Sequence, residues 1–470
     1  RAGICRAAWY GCGLLMPPPS RPFRPDRPHG PARPDRPYRS GPDRGEQRPY
    51  RQDRDDRPAF FRPPPRLPSP DFAPPGSADW PQPWVQMKYF SFNPVVYPNM
   101  ISAMSRNIGA GDLVNVYDRD GQPFGVGLWN AKAKVPLRVL QHGADPLTED
   151  DLDLRLERAL KLRRDTLHLD GCTNAYRVVF SDGDGIPGLT VDRYAEVLSI
   201  EVTTLAVWVR LRRWLPTMHA ALGTTQHLIH VDPEIGNMEG MRRADVPEID
   251  DPAPESVRIT ENGMQFHVGF ADGHKTGFFC DQRDNRKRFG ELAAGKTVLD
   301  MCCYTGGFSL AAKLIGKCDD VTAVDLDEKA IEVAKTNANI NRTRLDLTHC
   351  DAFTWGRTMI GNARTWQAVV LDPPKFVHAR EGEDAEKGRN KYFDLNAIAI
   401  QLVERGGLFV TCSCSGLLSA EEFEEIVCRA AHRNKRKLQI IDRTGAGMDH
   451  PVMSNCPEGR YLKTIWAIVV

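Results

Sequence analysis

Between residues 17 and 84 the sequence has a single Leu, Ile, Val or Met, Leu67, and before Lys88 it has no lysine. So few apolar side chains cannot bury enough surface to offset the entropy of ordering the chain, which excludes an independent folded core there. Arginine and proline fill the gap. Residues 1–84 hold 21 of the 36 prolines and 15 arginines, many in repeated units such as Arg24-Pro25-Asp26-Arg27-Pro28 and Arg33-Pro34-Asp35-Arg36-Pro37. This composition predicts a disordered tail over 1–84, locally polyproline II. With 9 acids the tail carries +6 and the rest of the chain −5. The formal net charge of +1 is therefore a sum of opposites and does not exclude a polyanionic partner.

Other absences narrow the class. No run of about 18 apolar residues occurs, so no transmembrane helix is expected. The 12 cysteines are irregularly spaced, including the adjacent Cys302-Cys303 and the Cys412-x-Cys414 pair. That pattern is not a disulfide framework, and reduced thiols in a cytoplasm are expected. Residues 7–16 are mostly apolar behind Arg1 and Arg6, but Gly11 and Gly13 interrupt them and no small-residue cleavage site follows. Residue 1 is not Met and Met16 directly precedes the proline-rich stretch, so residues 1–15 are expected to reflect a choice of start site. No metal is expected: the spacings around Cys302, Cys303, Cys412 and Cys414 do not match a zinc knuckle.

From residue 85 the pattern turns to short strands. Residues 112–117 and 124–129 alternate around a turn at 118–121, giving a small β-rich module over 85–148. A charged, Leu-periodic helix over 149–166 leads into an α+β unit that reaches 255, with a strand at 197–202 and a helix at 206–222. Over 256–470 strands and helices alternate. Strands are predicted at 297–301, 321–325, 368–371, 407–412, 438–441 and 461–470, with helices at 308–315, 328–340, 395–403 and 420–431. This rhythm predicts a mostly parallel, doubly wound α/β sheet.

Ligands of such sheets bind beyond the carboxyl ends of the strands, so the residues there were read for chemistry. The first strand runs into Asp300-Met-Cys-Cys-Tyr304-Thr305-Gly306-Gly307, where two glycines let the backbone approach a ligand. Asp325 ends the second strand, where a carboxylate can accept both hydroxyls of a ribose. A dinucleotide site would need G-x-G-x-x-G for its pyrophosphate, which is missing. A nucleoside without phosphates fits better, and S-adenosylmethionine is the commonest such cofactor. Asp351, with Ala352 behind it, follows the third strand at a position suited to an adenine amino group, although each acid alone also reads as a surface or cap residue. Asp372-Pro373-Pro374-Lys375 ends the fourth strand as a rigid loop of the kind that holds a flat nucleobase, and a simple turn would explain it equally well.

The fifth strand ends in Thr411-Cys412-Ser413-Cys414-Ser415-Gly416. A thiol at a strand end facing a cofactor cleft is a candidate nucleophile; a small buried residue is the bland alternative. Methylation of a pyrimidine at C5 needs such a thiol. Its addition at C6 places enamine-like electron density on C5, and an acid such as Asp372 near N3 would stabilise the charge on the ring.

Taken in order, these motifs resemble the bacterial ribosomal RNA large subunit methyltransferase I family. The likeness also rests on Tyr176-Arg-Val-Val-Phe-Ser-Asp-Gly-Asp-Gly-Ile-Pro-Gly-Leu-Thr-Val-Asp-Arg-Tyr194, Gly273-His-Lys-Thr-Gly277, Asp449-His-Pro-Val452 and Pro457-Glu-Gly-Arg-Tyr-Leu-Lys463, and covers about residues 87–470. The resemblance implies a PUA-type RNA-binding domain, a central α+β domain and a Rossmann-like class I methyltransferase domain. It implies S-adenosylmethionine as cofactor and 5-methylcytosine in unassembled 23S ribosomal RNA as product, and it leaves a homodimer open. It places the nucleophile at Cys414 rather than Cys412, with Asp372, Pro373 and Lys375 beside it. Gln282 and the His-Lys-Thr-Gly segment would close over a cofactor held by Tyr304, Thr305, Gly306, Gly307, Asp325, Asp351, Ala352 and Asp372. Two other readings stand beside it: a purine-nitrogen methyltransferase on the same fold, and a non-catalytic RNA-binding assembly factor.

Where the family is basic before Glu239-Gly-Met241, this chain reads Asp232-Pro-Glu-Ile-Gly-Asn-Met238. The arginine-rich tail is a candidate for restoring that attraction. Deleting residues 17–84 is expected to weaken RNA binding mainly at low salt and to flatten its salt dependence; binding isotherms across a salt series check this.

Overall fold

The computed structural model describes residues 67–252, 254–270 and 277–470. The predicted disorder of residues up to 66 and the predicted closure of segment 273–276 over the cofactor lie outside the described residues. Among the described residues, no helix is long and apolar enough to cross a membrane.

Seven strands form the large sheet, in the order Asp346–His349, Val321–Asp325, Val298–Met301, Trp366–Leu371, Val403–Ser413, Lys463–Val469 and Leu438–Thr444. The first five are parallel, and Lys463–Val469 runs antiparallel between its two neighbours. Its central strands are near-continuous apolar runs because both faces are covered. Leu299, Val369, Leu371 and Phe409 pack on one side with Tyr392, Leu395, Phe423 and Val427 from the helices Glu383–Leu402 and Ala420–Arg433. Val298, Val370, Val410 and Trp466 point to the other side, onto Phe289 and Phe308. This is the predicted doubly wound, Rossmann-like sheet. The strand at 321–325 and the helix at 328–340 fall at the predicted residues. Other boundaries differ. The helix expected at 395–403 is Glu383–Leu402, its first turns being polar and exposed, without an apolar period to betray them. The strand expected at 407–412 is Val403–Ser413, and a helix at Ala352–Gly361 was not anticipated.

The N-terminal sheet has six strands, ordered Val95–Val96, Leu137–His142, Pro123–Trp129, Leu113–Tyr117, Trp84–Met87 and Ile101–Met104. The expectation of disorder through residue 84 is corrected here. Leu67 packs against the core of this sheet, Trp80 stacks on Tyr117 with centroids 3.9 Å apart, and Trp84 pairs with Asn115. Three large apolar anchors suffice because the segment covers an existing core instead of building one. A deletion that tests the tail should therefore stop at residue 66.

Between the two sheets lies a four-stranded one, Gln226–His230, Val197–Val202, Leu189–Tyr194 and Ala175–Phe180. The helices Glu149–Lys161 and Leu205–Leu222 contribute to its core. The predicted helix at 149–166 ends its α-helical part at Lys161 and continues as a π-helical turn, Leu162–Thr166. In the segment before Glu239, Asp232 caps the helix Pro233–Glu239, accepting hydrogen bonds from the N–H groups of Glu234 and Ile235. Glu239 then accepts from Asn130 (2.8 Å) and from the Leu205 N–H (3.1 Å), joining the first sheet to the second.

A buried ion network fastens this middle unit to the large sheet. Asp449 is fully buried and takes a two-pronged contact from Arg283 (2.9 and 3.0 Å) and a bond from the Arg177 N–H. Its carbonyl accepts from Arg163, which is itself paired with Asp184. Burial works against the Asp449 charge, yet the neighbouring His450 and Arg283 hold its carboxyl well below the usual carboxylate range. A second clip ties the first sheet to the segment leading into Lys463–Val469. Asn93 donates to Glu458 (3.1 Å), and Asn455 donates to the Phe92 carbonyl (2.8 Å).

Candidate functional site

The parallel strands of the large sheet end along one edge, and the turns there gather most of the predicted residues. After Val298–Met301 the backbone turns sharply through Cys302 (φ 63°) and Tyr304 (φ 48°), and Gly306 (φ 81°) caps the helix Gly307–Leu314. Positive φ at two residues with side chains is strained, and a bound Asp325 helps to hold it. Asp325 ends Val321–Asp325 and accepts the Tyr304 N–H (2.7 Å) through one oxygen and the Asp327 N–H (2.9 Å) through the other. Gly307 leaves room for Arg286, whose Cδ would lie 2.7 Å from any added Cβ. Thr305 is buried, and its carbonyl accepts from Asn337 (3.0 Å). The Tyr304 ring meets Phe279 edge-on at 5.1 Å, giving the loop an apolar wall.

Asp351 has a local job: it caps the helix Ala352–Gly361, with Oδ2 accepting from the Thr354 N–H (2.9 Å) and hydroxyl (2.8 Å). Its other oxygen takes no part in that cap. Ala352 is buried in the core beside it.

Asp372 and the cysteine loop sit on adjacent strand ends, since Leu371 pairs with Thr411 across the sheet. Asp372 accepts from Gln282 Nε2 (2.9 Å), and Gln282 is in turn held by Asn285 (2.7 Å). Burial, reinforced by the negative charge of Asp281, pushes the Asp372 carboxyl up to about 7. Pro373 is buried under the loop; Lys375 is exposed, and no described hydrogen bond or ion pair connects it to these groups.

The two candidate thiols differ. Cys412 is fully buried, its sulfur lies 3.4 Å from Thr464 Oγ1, and burial pushes the thiol well above its ordinary value. Cys414 lies just past the strand end and is partly exposed. The serines on either side of it build its loop. Ser413 accepts the Ser415 N–H (3.3 Å), and Ser415 bonds Tyr392 (2.9 Å) while accepting the Val377 N–H (3.2 Å). Ser415 therefore ties the cysteine loop to the Asp-Pro-Pro loop.

Three functional candidates escaped the sequence reading. Asp300 is fully buried; one oxygen accepts from the Ser309 N–H (2.9 Å) and hydroxyl (2.6 Å), while the other, Oδ1, has no partner among the described residues. Burial pushes this carboxyl up to about 7. An acid inside the apolar run Val298-Leu-Asp-Met was the available signal. Asp281 accepts the Tyr461 hydroxyl (2.6 Å) and likewise keeps an unpartnered buried oxygen. Lys463, buried at the start of the strand Lys463–Val469, is the third. Among the described residues, no group of three or more His, Cys, Asp or Glu side chains is arranged to hold a metal.

These features fit an S-adenosylmethionine site: a glycine turn closely approached by a helix, a carboxylate at the second strand end, and an orphaned carboxylate oxygen at the end of the first strand. Comparison with known proteins gives the same class. Residues 248–433 match the S-adenosylmethionine-dependent methyltransferase family, and residues 85–142 match a PUA-like domain. Two solved structures share the fold. SMU.776, complexed with SAH, superposes with a TM-score of 0.63 at 21% identity over 77% of this chain and 93% of its own. A structure from Streptococcus mutans does so with a TM-score of 0.64 at 19% identity, over 82% and 100%. The protein is an S-adenosylmethionine-dependent methyltransferase with a PUA-like domain.

Sequence relatives narrow this further. The ribosomal RNA large subunit methyltransferase I of Erwinia tasmaniensis is 30% identical over 79% of this chain and 94% of its own length. That of Shewanella frigidimarina is 33% identical over 77% and 91%, and an Escherichia coli protein of the same name is 30% identical over 79% and 94%. The chain belongs to the ribosomal RNA large subunit methyltransferase I family.

Proposed function

We propose that this enzyme methylates C5 of a cytidine in 23S ribosomal RNA, with Cys414 as nucleophile and Asp372 as the acid at N3. The observation that carries the reading is the pairing of a partly exposed thiol with a carboxyl raised to about 7 on adjacent strand ends. At neutral pH such a carboxyl is about half protonated, so it can give a proton to N3 rather than only accept a bond. S-adenosylmethionine, when bound, supplies a methyl group on a sulfonium. Asp300 Oδ1 and the 302–307 backbone are suited to its amino-acid end, and Asp325 to its ribose.

The Cys414 thiolate adds to C6, and the C5=C6 electron pair moves toward the ring carbonyl and N3 while Asp372 delivers its proton to N3. C5 would then take the methyl group as the bond to the sulfonium sulfur breaks, leaving the cofactor as a neutral thioether. Loss of the C5 proton to a base restores the C5=C6 double bond as the S–C6 bond breaks, N3 returns its proton to Asp372, and the Cys414 thiolate is regenerated. Gln282 holds Asp372 in place through the bond to Oδ2. A base inside a stack cannot meet a thiol at a sheet edge, so the target cytidine must leave its stack, which favours unassembled RNA.

Fluorine at C5 cannot leave as a proton would, so 5-fluorocytidine-substituted RNA arrests the reaction at the adduct. The wild-type protein is expected to form a complex with such RNA that survives denaturing electrophoresis and maps by peptide mass to Cys414. Cys414→Ala should form none and methylate at background level. Full methylation by Cys414→Ala, or an N-methylated purine in the product nucleosides, would overturn the reading.

A further inference from the structure

We infer that Lys463 is a positioning residue for Cys414: its buried ammonium, anchored in the loop that carries the thiol, stabilises the thiolate and fixes its direction. The inference rests on Cys414 being the nucleophile, and it is read out independently of methylation.

Lys463 opens the antiparallel strand Lys463–Val469, directly opposite Ser413, the residue before the thiol. A lysine 8% exposed is costly unless something uses its charge. Its Nζ donates to the carbonyls of Ser415 (2.6 Å) and Leu418 (2.8 Å), which bracket the turn leaving Cys414. Both acceptors are neutral, so the hydrogen bonds hold the ammonium in place without cancelling its charge. Burial lowers the Lys463 ammonium to about 8, and the attraction of Cys414 and Glu422 works against that drop, so thiol and ammonium sense each other. A cation held this close to the cysteine loop favours the charged form of its thiol.

Other described groups around this loop are acidic or neutral, or carry a cation already engaged elsewhere, such as Arg389 on Glu422. Glu422, from the helix Ala420–Arg433, is tied to the Ser419 N–H (3.0 Å) and to Arg389 (3.3 Å). Tyr392, from Glu383–Leu402, is raised by burial and stays neutral. Cys412, on the same strand, is a buried thiol, and Asp372 beyond the neighbouring strand adds negative charge when ionised. Lys463 brings a positive charge to this set.

The test is the pH dependence of Cys414 alkylation by iodoacetamide in the full-length protein between about pH 5 and 10, followed by peptide mass. The wild-type midpoint is expected below that of an ordinary thiol, about 8.5. Lys463→Gln keeps an N–H donor for the carbonyls but removes the charge, and should raise the midpoint by about one pH unit or more. Lys463→Met should raise it at least as far, and Lys463→Arg should restore most of the shift. An unchanged midpoint in Lys463→Gln would overturn the inference, as would an overall loss of rate without a midpoint shift, which is what a purely mechanical tether would give. If Lys463→Met does not fold, the Gln and Arg pair still decides. Failure of Cys414 itself as nucleophile appears separately, as a missing 5-fluorocytidine adduct with the alkylation shifts intact.

Discussion

Asp372→Asn is expected to slow methyl transfer about 10²–10³-fold while making the protein more resistant to heat at pH 8. The two effects share one cause. The carboxyl is raised from 3.8 to about 7, first by burial and then by the charge of Asp281, so its ionised form is disfavoured in the folded protein. In the unfolded chain the same group ionises near pH 4. Folding therefore becomes less favourable as pH rises from about 4 to about 7, and the penalty stays constant above that. The amide carries no such penalty. The stability gained by Asp372→Asn should be absent at pH 4, grow up to about pH 7 and then level off, reaching about 2–5 °C in melting temperature. The amide can donate a hydrogen bond to N3 but cannot transfer a proton, so turnover falls. In the wild type the single-turnover rate should decline above about pH 7 as Asp372 ionises, and this descending limb should vanish in the variant. Thermal melts and single-turnover rates over the same pH series test both halves. A variant that is slower but no more stable at pH 8 would mean the carboxyl is not strained by its site.

Asp449→Asn should be the most destabilising single change among the described polar residues, costing about 3–5 kcal/mol near pH 7. The substitution conserves shape and removes charge, leaving the Arg283 guanidinium, 1% exposed, without its two-pronged partner. The folded-state carboxyl is held below its ordinary value, so its contribution is fully present above about pH 4 and fades as pH falls further. The gap in melting temperature between wild type and variant should therefore be wide at pH 7 and narrow below pH 4. Activity should fall as well, because Gln282, the neighbour of Arg283, holds Asp372 (2.9 Å). Calorimetric melts at the two pH values, together with S-adenosylmethionine-dependent turnover, would measure both.

Much of this site was legible in the sequence because chemistry at strand ends leaves local signatures. Asp325 is an acid closing an apolar run, Gly306-Gly307 marks a turn, and Cys414 lies in an unusual Ser-Cys-Ser-Gly string. The structure brings these to one edge of the sheet, as the alternation of strands and helices predicted. Asp351 shows where a local reading becomes ambiguous, since the same acid that could meet a ligand also caps the helix behind it. The residues that were missed act across long sequence separations. Asp300 looks like part of a core strand until its unpartnered oxygen is seen, and Lys463 is 49 residues from Cys414, brought to it by an antiparallel pairing that no periodicity announces. Ser415 likewise reveals its work only when Tyr392 and Val377 converge on it. Leu67, Trp80 and Trp84 were obscured by the proline-rich composition around them, although each anchors the segment to a sheet formed by later residues.

The clip between Asn455 and the Phe92 carbonyl gives the protein a built-in ruler. Lys463 lies eight positions beyond Asn455, and eight residue steps of chain span at most about 28 Å. The Phe92 loop and the residue paired with Ser413 are thus kept within that reach of each other. A substrate that touches both places would have to bring its two contact points equally close in space.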